Sequence, residues 1–307
     1  MSARSIRILL VSSIFVVLAA AIMVRVYPQV VVLFSRDVTI RSPYCTRWDA
    51  MLSVRAKHNQ AAVFKALASQ ARLLKRDADL ELWATPRGQF WMPKGGGKLL
   101  AYLLAEEEES FYGNEALGVR SGDVVIDCGA FVGTTVKQAL LRGARKVVAV
   151  EPAPENLKCL QLNLAREITE GRVVVYSKGV WDRNDVLTIR VVEENPGADS
   201  FVMHQENSGK VLKLPLTTID KMVEELKLDR VDYIKMDIEG AEKKALVGGR
   251  QTLAKFHPWL ALATYHEPGD PVKIPELVRQ AWPGYRMECG PCVLDRHEVF
   301  TYVIFFR

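Results

Sequence analysis

Apolar positions in the second half of the chain fall into short, nearly continuous runs, with amphipathic segments between them. Val124–Ile126, Lys146–Val150, Arg172–Tyr176, Val231–Met236 and Trp259–Tyr265 read as strands buried on both faces. Thr134–Leu141, Pro154–Leu164, Ala241–Leu253 and Pro275–Ala281 carry helical spacing. Buried strands alternating with helices predict an α/β fold around a mostly parallel sheet. Val186–Val192 alternates and is expected to pair with Lys210–Leu214, across a polar insertion at Asn195–Gly209. A short helix opens near Leu216–Asp220, with Thr218 or Asp220 as its cap. Tyr285–Cys289 and Val299–Phe305 read as the last two strands.

The first third of the chain has a different texture. Ile8–Val24 is an uncharged apolar run of about 17 residues between Arg7 and Arg25, at the lower limit for a membrane span. A signal peptide cleaved near Ala19–Ala21 is the rival reading. Apolar residues continue past that point, which favours an uncleaved transmembrane helix. More arginines follow the run than precede it, which places the C-terminal side in the cytoplasm. The expectation is therefore a single-pass membrane protein with a cytoplasmic catalytic domain. Asp49–Lys75 reads as a helix with a broad apolar face, and Leu80–Ala84 with Gln89–Met92 as a hairpin. Gly95–Lys98 lacks the spacing of a phosphate loop. Three regions follow: an anchor over 1–35, a small helical and hairpin region over 36–105, and a catalytic domain over 106–307.

Charge sharpens this division. The net charge is +5, yet residues 1–80 alone hold twelve Lys/Arg against four Asp/Glu, so the remainder is acidic by three. The catalytic region has no basic field for nucleic acid, whereas a basic segment beside an apolar run suits anionic lipid. Five cysteines, an odd number, do not suggest a disulfide framework. Cys289-Gly-Pro-Cys292 has no second pair to complete a zinc site, and reads as a turn with two half-buried thiols.

The chemistry gathers at Val124-Val-Ile-Asp127-Cys-Gly129-Ala-Phe-Val-Gly133. Strand, small-residue turn and helix form the opening of a nucleotide-binding unit, and Gly129 and Gly133 permit close approach of a ligand. Asp127 stands where a dinucleotide site has its first glycine, and its carboxylate would repel a pyrophosphate. It suits instead the cationic amino acid end of S-adenosylmethionine (SAM). Glu151, 18 residues past Gly133 at the next strand tip, can accept from two ribose hydroxyls. With Tyr233–Glu242, these segments resemble class I SAM-dependent methyltransferases of the FkbM family, from about Glu106 to the C-terminus. The resemblance implies a Rossmann-like seven-stranded sheet with helices on both faces and a reversed last strand. It implies SAM as cofactor and methyl transfer to a hydroxyl of a sugar, a glycolipid or another small metabolite. It also implies an acid and a tyrosine over the cofactor, here Glu108 and Tyr112. Adenine is expected after the third strand, flanked by Val180 or Trp181 and hydrogen-bonded to Asp182.

A hydroxyl is a poor nucleophile until its proton leaves, so a base is expected near the methyl group. Asp237 and His266 end neighbouring strands and are the catalytic candidates, with the ordinary His pKa the better suited to the task. Asp237 can instead orient His266, or hold a divalent metal with Glu239. Glu242 follows at helix-start spacing, where an acid is stabilising in any case. The Asn195–Gly209 insertion, with Ser200 and His204, can shape the acceptor pocket. Other readings stay open: a nicotinamide oxidoreductase, a membrane-anchored SAM-binding protein without turnover, and a methyltransferase acting on a protein or lipid.

Overall fold

The computed structural model describes residue 35 and residues 37–77, 79–191, 210–295 and 297–307. Seven strands form the central sheet: β1 Val124–Cys128, β2 Lys146–Val150, β3 Val173–Tyr176, β4 Tyr233–Met236, β5 Trp259–Ala263, β6 Met287–Cys289 and β7 Val303–Phe306. Their spatial order is 3-2-1-4-5-7-6. β1 to β5 run parallel, while β7 is antiparallel to both β5 and β6. This is the expected methyltransferase-like sheet with its reversed final strand.

β1 explains why apolar runs make this architecture. Val125 points into one helix-covered core, with Val136, Ala139 and Leu160. Ile126 points into the other, with Met222, Leu246 and Val278. A strand buried on both faces needs apolar residues at successive positions, not alternate ones. Asp127 breaks the run near the end of β1, where Thr135 and Lys235 meet its carboxylate.

The N-terminal region packs onto this body. The helix Arg47–Gln70 starts with a capping box, Thr46 accepting from the Asp49 backbone and Asp49 accepting in return. It stops before the expected Lys75, and Arg72–Asp77 leaves it to become a strand. That strand pairs with Leu80–Thr85, which pairs in turn with Gly88–Pro93. Leu67, Phe90, Met92, Leu100 and Leu104 close over Val132 and Cys159 of the catalytic body. The long helix expected over Ala241–Leu253 is two, Glu242–Gly248 and Arg250–Phe256, joined at Gly249. Gly248 is compelled there: a Cβ would lie 2.0 Å from the Trp181 carbonyl oxygen. Asp185–Val191 and Lys210–Thr217 pair antiparallel as expected, and Thr218 caps the following helix by accepting from Lys221 N–H.

Two expectations are corrected. A further hairpin, Cys292–Asp295 with Glu298–Thr301, precedes β7, and Thr39–Ile40 adds to its edge. Cys45 and Cys292 form a disulfide there, with Cα atoms 6.0 Å apart, so Cys292 is not a free thiol of a CxxC turn. Residues 247 apart in sequence meet because the hairpin carries Cys292 back to the start of the chain, which spacing alone does not reveal. The second correction concerns the membrane. Among the described residues no helix is long and apolar enough to cross a bilayer. The run Ile8–Val24 lies outside the described residues, and the single-pass placement built on it is withdrawn. A cytoplasmic catalytic domain also fits poorly with the disulfide, since cytosolic thiols are kept reduced.

Candidate functional site

The sheet delivers its functional side chains at the carboxyl ends of β1, β2, β4 and β5, where open α/β sheets bind ligands. After β1 the chain turns through Gly129, at φ +81°, and Phe131, at φ +47°. Gly129 and Ala130 both donate to the Val150 carbonyl, and Phe131 N–H donates to Glu151 Oε2 at 3.0 Å. Glu151 Oε1 accepts from Ala153 N–H at 2.8 Å. The first two strand tips are thus laced together by backbone.

The glycines have a packing cause. A Cβ on Gly129 would stand 1.9 Å from the Asp237 carbonyl oxygen, and one on Gly133 would strike Leu160 and Leu164. Asp127 is 2% exposed and turns beneath the turn toward the helix Thr134–Leu141. It accepts from the Thr135 hydroxyl at 2.5 Å and pairs with Lys235 Nζ at 3.2 Å. Lys235, opposite Asp127 across β4 and β1, was missed in the sequence. It is buried, which lowers its pKa, but Asp127 and Asp237 on either side outweigh burial and raise it, so it stays charged. A lysine two residues before a strand-tip acid is the signal that was there.

The second half of the site lies at β4 and β5. The chain leaves β4 through Glu239, at φ +56°, and Gly240. Asp237 accepts from the Tyr112 hydroxyl at 2.7 Å and the Tyr265 hydroxyl at 3.2 Å. His266, its side chain 3% exposed, packs behind: Nε2 lies 3.3 Å from Asp237 and 3.6 Å from Glu239, and Nδ1 lies 3.1 Å from Glu242. Burial lowers the His266 pKa, but Glu242, Asp237 and Glu239 more than reverse it, to about 9. The ring is therefore an imidazolium at neutral pH. Burial raises the Asp237 pKa, while Lys235 and His266 pull it back below the ordinary value. Ligand atoms of Asp237, Glu242 and His266 lie within 4.8 Å of one another, close enough to share a divalent cation if the ring gave up its protons.

One cavity of about 220 Å³ opens between these halves. It is smaller than the ~300–1,000 Å³ of common ligand sites, so an adenosyl ligand would extend out of it past Glu151. Of the residues singled out in the sequence, Tyr112, Gly129, Glu151, Asp237 and Glu239 line it. Glu106 and Glu107 line it too, whereas Glu108, one residue on, pairs with Arg87 at 2.7 Å. Burial raises the carboxyls of Glu106 and Glu107 to about 7 and about 8. Asp127, Gly133 and His266 stand behind the wall. Val180 is in the core, and Asp182 pairs with Lys244 at 2.8 Å, away from the cavity. Ser200 and His204 lie outside the described residues.

A family model described as the methyltransferase FkbM domain matches residues 127–283. No curated protein matches the chain. Among solved structures it is similar to a methyltransferase FkbM from Methylobacillus flagellatus KT, at 20% identity and TM-score 0.49, over 83% of this chain and 60% of that one. The chain thus spans less than two thirds of that protein's length. It is similar also to precorrin-6y C5,15-methyltransferase from Geobacter metallireducens GS-15, at 14% identity and TM-score 0.37, over 62% of this chain and 81% of that one. A Streptococcus mutans structure in complex with SAH aligns at 11% identity and TM-score 0.37, over 61% and 89% of the two chains.

Proposed function

This chain belongs to the methyltransferase FkbM family, and from that premise we propose that it uses SAM to methylate a hydroxyl of a sugar or another small metabolite. The observation that carries the proposal is the set of acids around one cavity, Glu106, Glu107, Glu151 and Asp237, at the tips of the parallel strands. Such a wall favours a ligand bearing a sulfonium and an ammonium, and disfavours a pyrophosphate. When bound, SAM supplies a methyl group on a sulfonium sulfur that departs as a neutral thioether. Glu106 and Glu107 hold the cationic end, and Glu151 accepts from the ribose. Tyr112 and Tyr265 fix the Asp237 carboxylate by donating to both its oxygens.

Asp237 rather than His266 faces the reacting atoms. An acceptor hydroxyl beside it gives up its proton to the carboxylate as its oxygen takes the methyl group. His266, already protonated, cannot accept that proton. It positions Asp237 from behind and balances the acids packed around it. Calorimetric titration tests the reading: SAM should bind and NAD should not. Binding of NAD, or no binding of SAM, overturns it.

A further inference from the structure

A second cavity, of about 690 Å³, lies beside the first. The two share one wall, formed by Tyr102, Tyr265 and Tyr302. The rings of Tyr265 and Tyr302 are stacked with centroids 4.4 Å apart. Tyr265 donates to Asp237, and Tyr302 donates to Glu106 at 2.7 Å. The hydroxyls of Tyr265 and Tyr302 therefore serve the first cavity's acids, and the stacked rings form the partition between the two cavities.

The far wall comes from outside the sheet: the helix Arg47–Gln70 and the hairpin closed by the Cys45–Cys292 disulfide. It offers the ring of Phe300 and, around it, the side chains of Lys57, Gln60 and Asn114. Gln60 Nε2 is buried beside the Tyr102 hydroxyl, without a well-directed hydrogen bond. A buried amide donor so placed can turn to an oxygen supplied by a ligand. The volume falls within the ~300–1,000 Å³ of small-molecule sites. Aromatic residues beside amide and charged groups match a ring that is apolar on its faces and hydroxylated around its rim. A purely apolar acceptor would leave the Gln60 amide unused, and a polyanion would meet Glu109 in the same lining, where Lys57 is already paired with Asp295 at 2.9 Å.

We propose that this second cavity is the acceptor site and that it takes a saccharide of one or two rings, which presents one hydroxyl past the tyrosine wall to Asp237. The proposal rests on the methyltransferase reading above. Cys289, a free and exposed thiol in the lining, provides the probe, since the other free cysteines among the described residues are buried. The protein, saturated with S-adenosylhomocysteine, is alkylated with N-ethylmaleimide alone and with each of a panel: the 4-nitrophenyl glycosides of glucose, galactose, mannose, rhamnose and fucose, and lactose. At least one glycoside should slow alkylation of Cys289 several-fold. Gln60→Ala should weaken that protection by about fivefold, as loss of one hydrogen bond does. Ala56→Trp, at an exposed helix position in the lining, should abolish protection by filling the space. SAM calorimetry on the same samples keeps the two readings apart. Normal SAM binding in all three proteins, with no protection by any glycoside or with protection unchanged in both variants, overturns the acceptor site alone. Failure of the unmodified protein to bind SAM overturns the methyltransferase reading beneath it.

Discussion

Asp127 and Asp237 invite comparison. Both stand near the end of a buried parallel strand, on neighbouring strands. Asp127 is spent within the protein, on Thr135 and Lys235, and stays behind the cavity wall. Asp237 lines the cavity, held by two tyrosines and backed by an imidazolium. The difference comes from reach along one face: Asp127 is level with Lys235, and Asp237 lies two residues further on. Asp127 lies within β1, beneath the helix Thr134–Leu141, whereas Asp237 lies one residue beyond the end of β4. A strand-tip acid can thus reach a ligand only where the chain carries it past the strand end to the cavity.

The largest expected effect lies on the Asp237 side. Asp237→Asn should lower turnover by about 10²–10⁴-fold with little change in SAM affinity. In the unmodified protein, turnover should fall as pH rises through about 9, because the His266 imidazolium loses its charge there. A folded-state pKa above the unfolded value also means that the ion pair stabilises fully below ~6.5 and not at all above about 9. Turnover that instead rises toward pH 9 would make His266 the base and erase the contrast between the two tips.

Asp127→Ala sharpens the comparison from the other end. It leaves Lys235 buried beside an empty place, at a cost on the order of 3–5 kcal/mol in denaturant unfolding. An unchanged unfolding midpoint with weakened SAM binding would instead move Asp127 into the cofactor's contacts.

The smallest effect concerns Glu106 and Glu107. Both carboxyls titrate near neutrality, at about 7 and about 8, and a bound cation requires them ionised. SAM affinity should therefore weaken by up to about tenfold per pH unit as pH falls through that window, read by titration at fixed ionic strength. Affinity independent of pH between 6 and 8.5 would assign the cation to other groups.

The parallel sheet and the acids near its strand tips were legible in sequence because burial on both faces imposes unbroken apolar runs, and the acids interrupt them. Pairing was less legible. Lys235 sits inside such a run and looks like a blemish until β1 is laid beside it. The choice among Glu106, Glu107 and Glu108 depends on helix rotation, which four consecutive acids conceal. Leu73 and Leu74 continue the helical spacing of the preceding residues, yet Leu73 pairs with Trp83 of the strand Leu80–Thr85 and Leu74 stands at the bulge that follows. The Cys45–Cys292 pairing and the second cavity both arise from elements far apart in sequence, and no local pattern announces them.

That disulfide has a topological consequence. It makes the molecule a covalent ring, from Cys45 around to Cys292, with two tails. Nearly every functional side chain, from Glu106 to His266, is inside the ring. A single cut in the backbone anywhere within it opens the loop without releasing a fragment. A nicked molecule would run as one species on a denaturing gel, and would part into two only once a reductant had broken the clasp.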